Sequence, residues 1–350
     1  MLKHRPMSDV LASPRILVMG SGGIGGVLAA GLAESGQDVT VVTTNPTIHD
    51  AIRDRGLRVV GEGAPRTVRA RVSLGVPEGE RFDYVLLATQ PPQVEEAARQ
   101  ALPSLAEEGA MVCLQNGLCE ERITKIAGDD RVIGAVVGWG ATMPEPGLYE
   151  KTAAGGFTLG YPGGDPFGAD HEDLVRALEA VGPVETTQNL RGKRWSKLAI
   201  NCCISSLGTI GGDRLGGLMQ HRHVRRLGLE IMTEVVQVAR LEKVSGTLDL
   251  SWIALTEEEV VAAGSPSLVA KHGLLLAVGF RFRRMKSSML SAIERGRTPA
   301  VDFLNGEVVD RARTHGVRVP VNALVRETVW AIAEGKERPS MELLRKVYEA

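Results

Sequence analysis

Residues 15–26 read RILVMGSGGIGG, and this stretch decides the fold. A short apolar run, RILVM, enters a GxGxxG turn directly, and VLAAGLAES after it has the composition of a helix. Strand, glycine turn and helix in that order form the first unit of a dinucleotide-binding sheet. The glycines have separate tasks in such a turn. Gly20 permits the tight bend, Gly22 lets the backbone approach a pyrophosphate, and Gly25 lets helix and strand pack closely. Ser21, Gly23 and Ile24 complete the loop, and the helix N-terminus offers unpaired N–H groups to an anion. A merely flexible glycine loop would lack these flanks.

Working outward, DVTVVT at 38–43 is the next strand. An acidic residue at its end would grip the ribose 2′-hydroxyl of NAD. None is there. Thr43, Thr44 and Asn45 stand in its place and tolerate a 2′-phosphate, with Arg53 and Arg55 downstream as phosphate partners, so NADPH/NADP+ is favoured over NAD(H). The competing reading is a turn before Pro46 and a helix whose arginines are solvated. LRVVG and TVRARVSL read as short strands, and DYVLLAT at 83–89 as a strand buried on both faces. It ends at Gln90-Pro-Pro-Gln93, where Gln90 and Gln93 join the cofactor-binding set, and a helix follows from Val94. AMVCLQ then ends at Gln115-Asn116-Gly117, on the carboxyl edge where doubly wound sheets hold ligands. Asn116 either touches nicotinamide and substrate there or turns the chain before Gly117. RVIGAVVG, a stretch near GLYEK, GFTLGYP and VETTQ continue the strands, with a helix over 171–180. The sheet should gain antiparallel edge strands toward its end.

Beyond residue 189 the pattern becomes helical, over 194–206, 224–241, part of 265–295, 301–314 and 323–334. The expected organisation is α/β. A disordered lead-in occupies residues 1–14, a Rossmann-type domain 15–189, and an all-helical domain 190–350. Within RWSKLAINCCISS, at 194–206, Lys197, Asn201 and Ser205 recur every four residues, so an amine, an amide and a hydroxyl share one helix face. The basic cluster Arg281, Arg283, Arg284 and Lys286 reads as a solvated face.

Composition removes other classes. Lys+Arg 41 against Asp+Glu 42 gives a net charge of -1, so no global field favours nucleic acid or an anionic membrane. No stretch is apolar enough for a signal peptide or a membrane span. Four cysteines without a CxxC pair fit a reducing, cytoplasmic setting. The seven histidines form no metal set. The partner expected is a small molecule, with a homodimer left open.

From about residue 15 to 334 the chain resembles the ketopantoate reductase (2-dehydropantoate 2-reductase) family. The resemblance is carried by GSGGIG at 20–25, LQNG at 114–117, GATMPEPG at 140–147, RWSKLAINC at 194–202, SSML at 287–290 and ERGRTPAVDFLNG at 294–306. It implies NADPH-dependent reduction of a 2-oxo acid to a 2-hydroxy acid in a cleft between two domains, and a place in pantothenate biosynthesis. Lys197 takes the place of the catalytic acid, Asn116 and Asn201 those of the cofactor and substrate asparagines, and Ser288 that of the serine on the substrate carboxylate.

Two departures accompany the match. Ser205 stands where the family has a second asparagine, and Ala300 where it has the glutamate that meets the substrate hydroxyl. Gln90 replaces a lysine that often reads the NADP phosphate, and residues 246–285 exceed the family length. Asp302, two positions from Ala300, would not share its helix face. Two alternatives stay open: a related dehydrogenase on another hydroxy acid or opine-like compound, and a non-catalytic NADP(H)-binding sensor.

Overall fold

A computed structural model describes residues 13–244, 251–261 and 264–350, so the expected lead-in at 1–14 lies almost wholly outside the described residues. The chain divides into two compact units, one of residues up to Gln115 with Cys119–Leu190, the other of Asn116–Leu118 with Arg191–Ala350.

The first unit runs β1 (Arg15–Met19), α1 (Gly23–Glu34), β2 (Asp38–Val42), α2 (Pro46–Arg55), β3 (Leu57–Val60), β4 (Arg66–Val68), β5 (Arg71–Ser73) and β6 (Phe82–Leu87). It continues with α3 (Val94–Ala101), β7 (Leu105–Cys113), α4 (Glu120–Ala127), β8 (Val132–Val137), β9 (Gly140–Glu145), β10 (Leu148–Ala153), β11 (Phe157–Gly160), α5 (Glu172–Glu179) and β12 (Val184–Thr186). Eight strands form the main sheet in the order β12-β11-β8-β7-β6-β1-β2-β5. Its pairs are parallel from β5 to β8, and β11 turns antiparallel against β8. Because β1 is central and covered on both sides, its run is apolar at successive positions, and Ile16, Leu17 and Val18 are fully buried.

A second sheet, β4-β3-β10-β9, corrects two sequence readings. TVRARVSL is not one strand. Arg69 turns out of line to donate from Nη1 to the carbonyls of Arg53 and Asp54 (2.9 and 3.1 Å), which sends β4 to β3 and β5 to β2. The GATMPE and GLYEK stretches likewise form β9 and β10 over α1 instead of extending the main sheet. The Tyr149 ring of β10 occupies the space where a Cβ on Gly26 would stand.

The second unit is helical: α6 (Leu190–Gly211), α7 (Leu215–Gln220), α8 (Arg222–Leu241), α9 (Glu257–Val261), α10 (Pro266–Arg281), α11 (Ser288–Glu294), α12 (Asn305–Thr314), α13 (Pro320–Ala333) and α14 (Met341–Glu349). Helix α6 extends beyond 194–206 at both ends, and α7, α9 and α14 are additions to the sequence reading. The helix expected over 301–314 breaks at Leu304 (φ -118°, ψ -99°), with a 3-10 turn, Ala300–Phe303, before it. Trp195, Leu198, Cys202, Leu207, Val235, Val308 and Val329 share the core of this unit, and Leu118 packs with them.

A buried polar chain crosses that core. Ser206 Oγ donates to Asn305 Oδ1 (2.6 Å), and Asn305 Nδ2 donates to the Cys202 carbonyl (3.3 Å) and to Asn322 Oδ1 (2.9 Å). Asn322 Nδ2 in turn reaches Glu234 Oε2 at 2.7 Å, and the same carboxylate accepts the backbone N–H groups of Val321 and Asn322 at the start of α13. Burial pushes the Glu234 carboxyl above its ordinary range, against the downward pull of the Asn322 and Val321 donors. Four helices, α6, α8, α12 and α13, are thereby held in register.

Among the described residues no helix is long and apolar enough to cross a membrane, and no group of three His, Cys, Asp or Glu is placed to hold a metal ion.

Candidate active site

In the first unit, β1 delivers the chain into Gly20 at φ +106°, a conformation that suits glycine, with the Ala88 and Thr89 backbone packed against it. Gly25 is held closer still, since a Cβ there would lie 1.9 Å from the Gly20 carbonyl oxygen. Gly22 differs: nothing stands within 4 Å of its missing Cβ, and it is the N-cap of α1 with no side-chain capping bond. The first turn of α1 contains no acidic residue. A helix start of this kind presents donors and a partial positive charge to open space, which fits a dinucleotide pyrophosphate. Ser21 is buried, and its carbonyl accepts from Tyr149 Oη at 3.3 Å. Tyr149 therefore braces the loop through both ring and hydroxyl, a role the sequence gives no signal for. Burial raises the phenol's pKa, so it stays a donor.

At the end of β2 the three candidates separate. Thr43 is buried, its N–H donating to the Ser73 carbonyl (3.0 Å) and its Oγ1 accepting from Asn45 N–H (3.3 Å). Asn45 caps α2, with Oδ1 accepting from Ile48 N–H (3.2 Å). Thr44 is exposed between them. Arg53 and Arg55 occupy the last turn of α2, about 10 Å along the axis from its start. Arg53 pairs with Asp50 and Asp54, and Arg55 donates to the Pro146 carbonyl. Their position does not support the phosphate role expected from sequence.

Gln90 and Gln93 are exposed around the 3-10 turn Pro91–Gln93, at the carboxyl edge of β6. Gln115, which sequence reasoning passed over, is the residue that ties that edge together. Its Nε2 donates to the carbonyls of Leu87 (2.9 Å) and Thr89 (3.2 Å).

In the second unit, α6 turns Trp195, Leu198 and Cys202 inward while Lys197, Asn201 and Ser205 are partly exposed. Asn201 Nδ2 is buried and has no hydrogen-bond partner among the described residues. A buried amide donor without a partner is costly unless something else accepts from it. The Ser205 carbonyl accepts from the hydroxyls of Thr209 and Ser287, each at 2.8 Å. Ser287 also caps α11 through Leu290 N–H (3.3 Å), so exposed Ser288, the first residue of α11, is fixed relative to α6. Asn116 is exposed, and after it Gly117 (φ +95°) packs on the Phe303 carbonyl of the 3-10 turn that Ala300 begins. A Cβ on Gly117 would stand 2.5 Å from that oxygen, which explains the glycine of LQNG.

Lys197, Asn201, Ser205 and Ser288 are thus borne by clamped elements, and the Asn116 loop seats on the Ala300 turn. The carboxylate nearest Ala300 in sequence is committed elsewhere: Asp302 Oδ1 accepts from Arg326 Nε (2.6 Å) and Trp330 Nε1 (3.1 Å). It does not replace the missing glutamate.

Comparison with known proteins fits this arrangement. The family model for ketopantoate reductase PanE/ApbA matches residues 16–164, and that for its C-terminal domain matches residues 189–333. The 2-dehydropantoate 2-reductase of Pyrococcus horikoshii is 26% identical over 327 residues, covering 92% of this chain and 97% of the relative. That of Mesorhizobium japonicum is 27% identical, covering 89% and 97%. Among solved structures, a PanE/ApbA family ketopantoate reductase from Ralstonia eutropha JMP134 superposes with a TM-score of 0.77 at 25% identity, covering 93% of this chain and all of that one. A D-mandelate dehydrogenase in complex with NADH and anilino(oxo)acetate shares the fold, with a TM-score of 0.78 at 19% identity over 92% and 99% of the two chains. With both halves matched in order, the chain belongs to the ketopantoate reductase PanE/ApbA family and is an oxidoreductase acting between CH–OH and C=O with a nicotinamide dinucleotide.

Proposed function

We propose that this protein reduces a 2-oxo acid to the 2-hydroxy acid with NADPH, as its relatives named 2-dehydropantoate 2-reductase do with ketopantoate, and that Lys197 is the general acid. The observation that carries the reading is the α6 face, where Lys197 stands one turn from Asn201, whose Nδ2 is buried without a partner among the described residues. The cofactor, when bound, supplies the hydride. Lys197 donates a hydrogen bond to the substrate carbonyl oxygen, stabilises the negative charge that develops there, and gives up the proton that completes the alcohol. Asn201 donates to the same substrate. The Ser288 hydroxyl receives its carboxylate.

Ala300 and Ser205 favour a substrate other than ketopantoate. Both lie at positions the resemblance assigns to the substrate's distal hydroxyl, and Asp302 is held by Arg326 and Trp330. A missing buried partner costs about 1 to 3 kcal/mol, enough to reorder substrate preference without stopping turnover. Steady-state oxidation of NADPH across a panel of 2-oxo acids, ketopantoate included, tests the reading. A higher kcat/KM for a 2-oxo acid without a distal hydroxyl is expected, and absence of turnover with every carbonyl tried would sink it.

The preference for NADPH rests on exposed, uncharged Thr44 at the end of β2. Thr44→Glu should raise KM for NADPH far more than for NADH. An equal effect on both would remove the basis for the phosphate.

A further inference from the structure

Helices α12 and α13 leave a groove of about 510 Å³, whose lining includes Val309, Ala323, Arg326, Glu327, Trp330 and Ala331. That volume is enough for a small molecule. Two of these residues also support the turn that Ala300 begins, because Arg326 Nε and Trp330 Nε1 both donate to Asp302 Oδ1.

The groove sets an unused donor edge beside an unused carboxylate. Arg326 gives only Nε to Asp302. Its two Nη nitrogens make no hydrogen bond among the described residues, and Asp310 Oδ1 stands 3.6 Å from Nη1, too far for one. Glu327, the next residue, is exposed and has neither an ion pair nor a hydrogen bond among the described residues. The other cations of the lining are answered within the chain, Lys336 by Glu334 at 2.6 Å and Arg313 by Asp310 at 3.5 Å.

One helical turn on from Arg326 and Glu327 come Trp330 and Ala331, which give the same groove an indole and a methyl group. The Nη edge of a guanidinium takes a carboxylate through two parallel hydrogen bonds, a carboxylate takes an ammonium, and an indole takes apolar surface. A molecule that offers all three from one carbon atom is an α-amino acid with an apolar side chain. Polyanions are disfavoured, because Glu327 and Glu334 share the lining.

We propose that this groove binds an α-amino acid with an apolar side chain, its carboxylate on the Nη edge of Arg326, its ammonium on Glu327 and its side chain on Trp330. The occupant steadies the two residues that hold Asp302. It thereby acts on the Ala300 turn and, through the Phe303 carbonyl, on Gly117 and the Asn116 loop. Its effect on turnover rests on the function proposed above, whereas its binding does not.

Equilibrium dialysis of the full-length protein against labelled L-phenylalanine should give one site per chain with a dissociation constant below about 1 mM. Phenylacetate, which lacks the ammonium, and 2-phenylethylamine, which lacks the carboxylate, should compete roughly tenfold less well or worse. Glu327→Gln should weaken L-phenylalanine roughly tenfold and leave phenylacetate no weaker. Lys197→Ala should bind L-phenylalanine as tightly as the wild type, which separates this groove from the active site. Saturating L-phenylalanine should slow amide hydrogen exchange at 116–118 and 300–304, and in Asp302→Ala that slowing should vanish. No saturable binding, competition by phenylacetate or 2-phenylethylamine equal to that of L-phenylalanine, or loss of binding in Lys197→Ala overturns the site. Exchange unaltered in the saturated wild type, or still slowed in Asp302→Ala, overturns the route through Asp302.

Discussion

The start of α1 and the outer face of α6, the surfaces proposed above for cofactor and for substrate, are built by opposite means. At α1 the binding surface is made by removing side chains, so that Gly20, Gly22 and Gly25 leave backbone N–H groups bare. At α6 it is made of side chains, Lys197 and Asn201, whose placement depends on partners elsewhere in the second unit. At Gly20 and Gly25 the first surface has no room for an added atom. The second depends on the polar chain behind it, which α6 joins through Ser206 and the Cys202 carbonyl.

That contrast orders the tests. Gly25→Val puts side-chain atoms where only 1.9 Å separates Cβ from the Gly20 carbonyl oxygen, and should abolish dinucleotide binding in a fluorescence titration. Lys197→Ala should lower kcat by about 10²- to 10⁴-fold while the dissociation constant of the dinucleotide stays unchanged. Parallel loss of both would place the lysine in cofactor binding. Asn305→Leu strands Ser206 and Asn322 and should cost about 2 to 4 kcal/mol in denaturant unfolding.

His272 allows a pH test of the second unit. Burial first, and then the charges of Arg225, Arg222 and Arg226, hold its imidazole down to about 4. Its Nδ1 is buried without a partner among the described residues. The unfolded chain, with an ordinary imidazole, takes up a proton in the window between its own value of 6.5 and 4 while the folded protein does not. Stability is therefore fully present above pH 6.5 and declines as pH falls toward 4, by up to about 3 kcal/mol. His272→Leu should flatten that slope; an unaltered slope would assign it to carboxylates. The smallest effect is expected at α2, where Arg53→Ala should leave KM for NADPH within about twofold, a substitution at a solvated helix face.

Legibility in the sequence follows the same division. RILVMGSGGIGG reads correctly because burial on both faces demands a continuous apolar run and a tight turn demands glycine, both local requirements. Residues 67–74 read wrongly as one strand because the break at Arg69 is set by the carbonyls of Arg53 and Asp54, more than ten positions away. The polar face of α6 was legible from its four-residue spacing. Asn305, Asn322 and Glu234, which hold the helices bearing it, were not, because each contact joins residues far apart in the chain and no period marks it. Tyr149 escaped for the same reason.

The assignment of Asn116–Leu118 to the second unit has a consequence for biosynthesis. Leu118 belongs to a core whose other members begin at Trp195 and end at Val347. At ordinary translation speeds that leaves it waiting on the order of ten seconds or more for its neighbours to emerge from the ribosome. A fragment beginning at Arg191 never receives it. The helical unit is thus not a module that can be cut out with one stroke, and an expression fragment meant to keep this core whole carries Asn116–Leu118 back in by a linker.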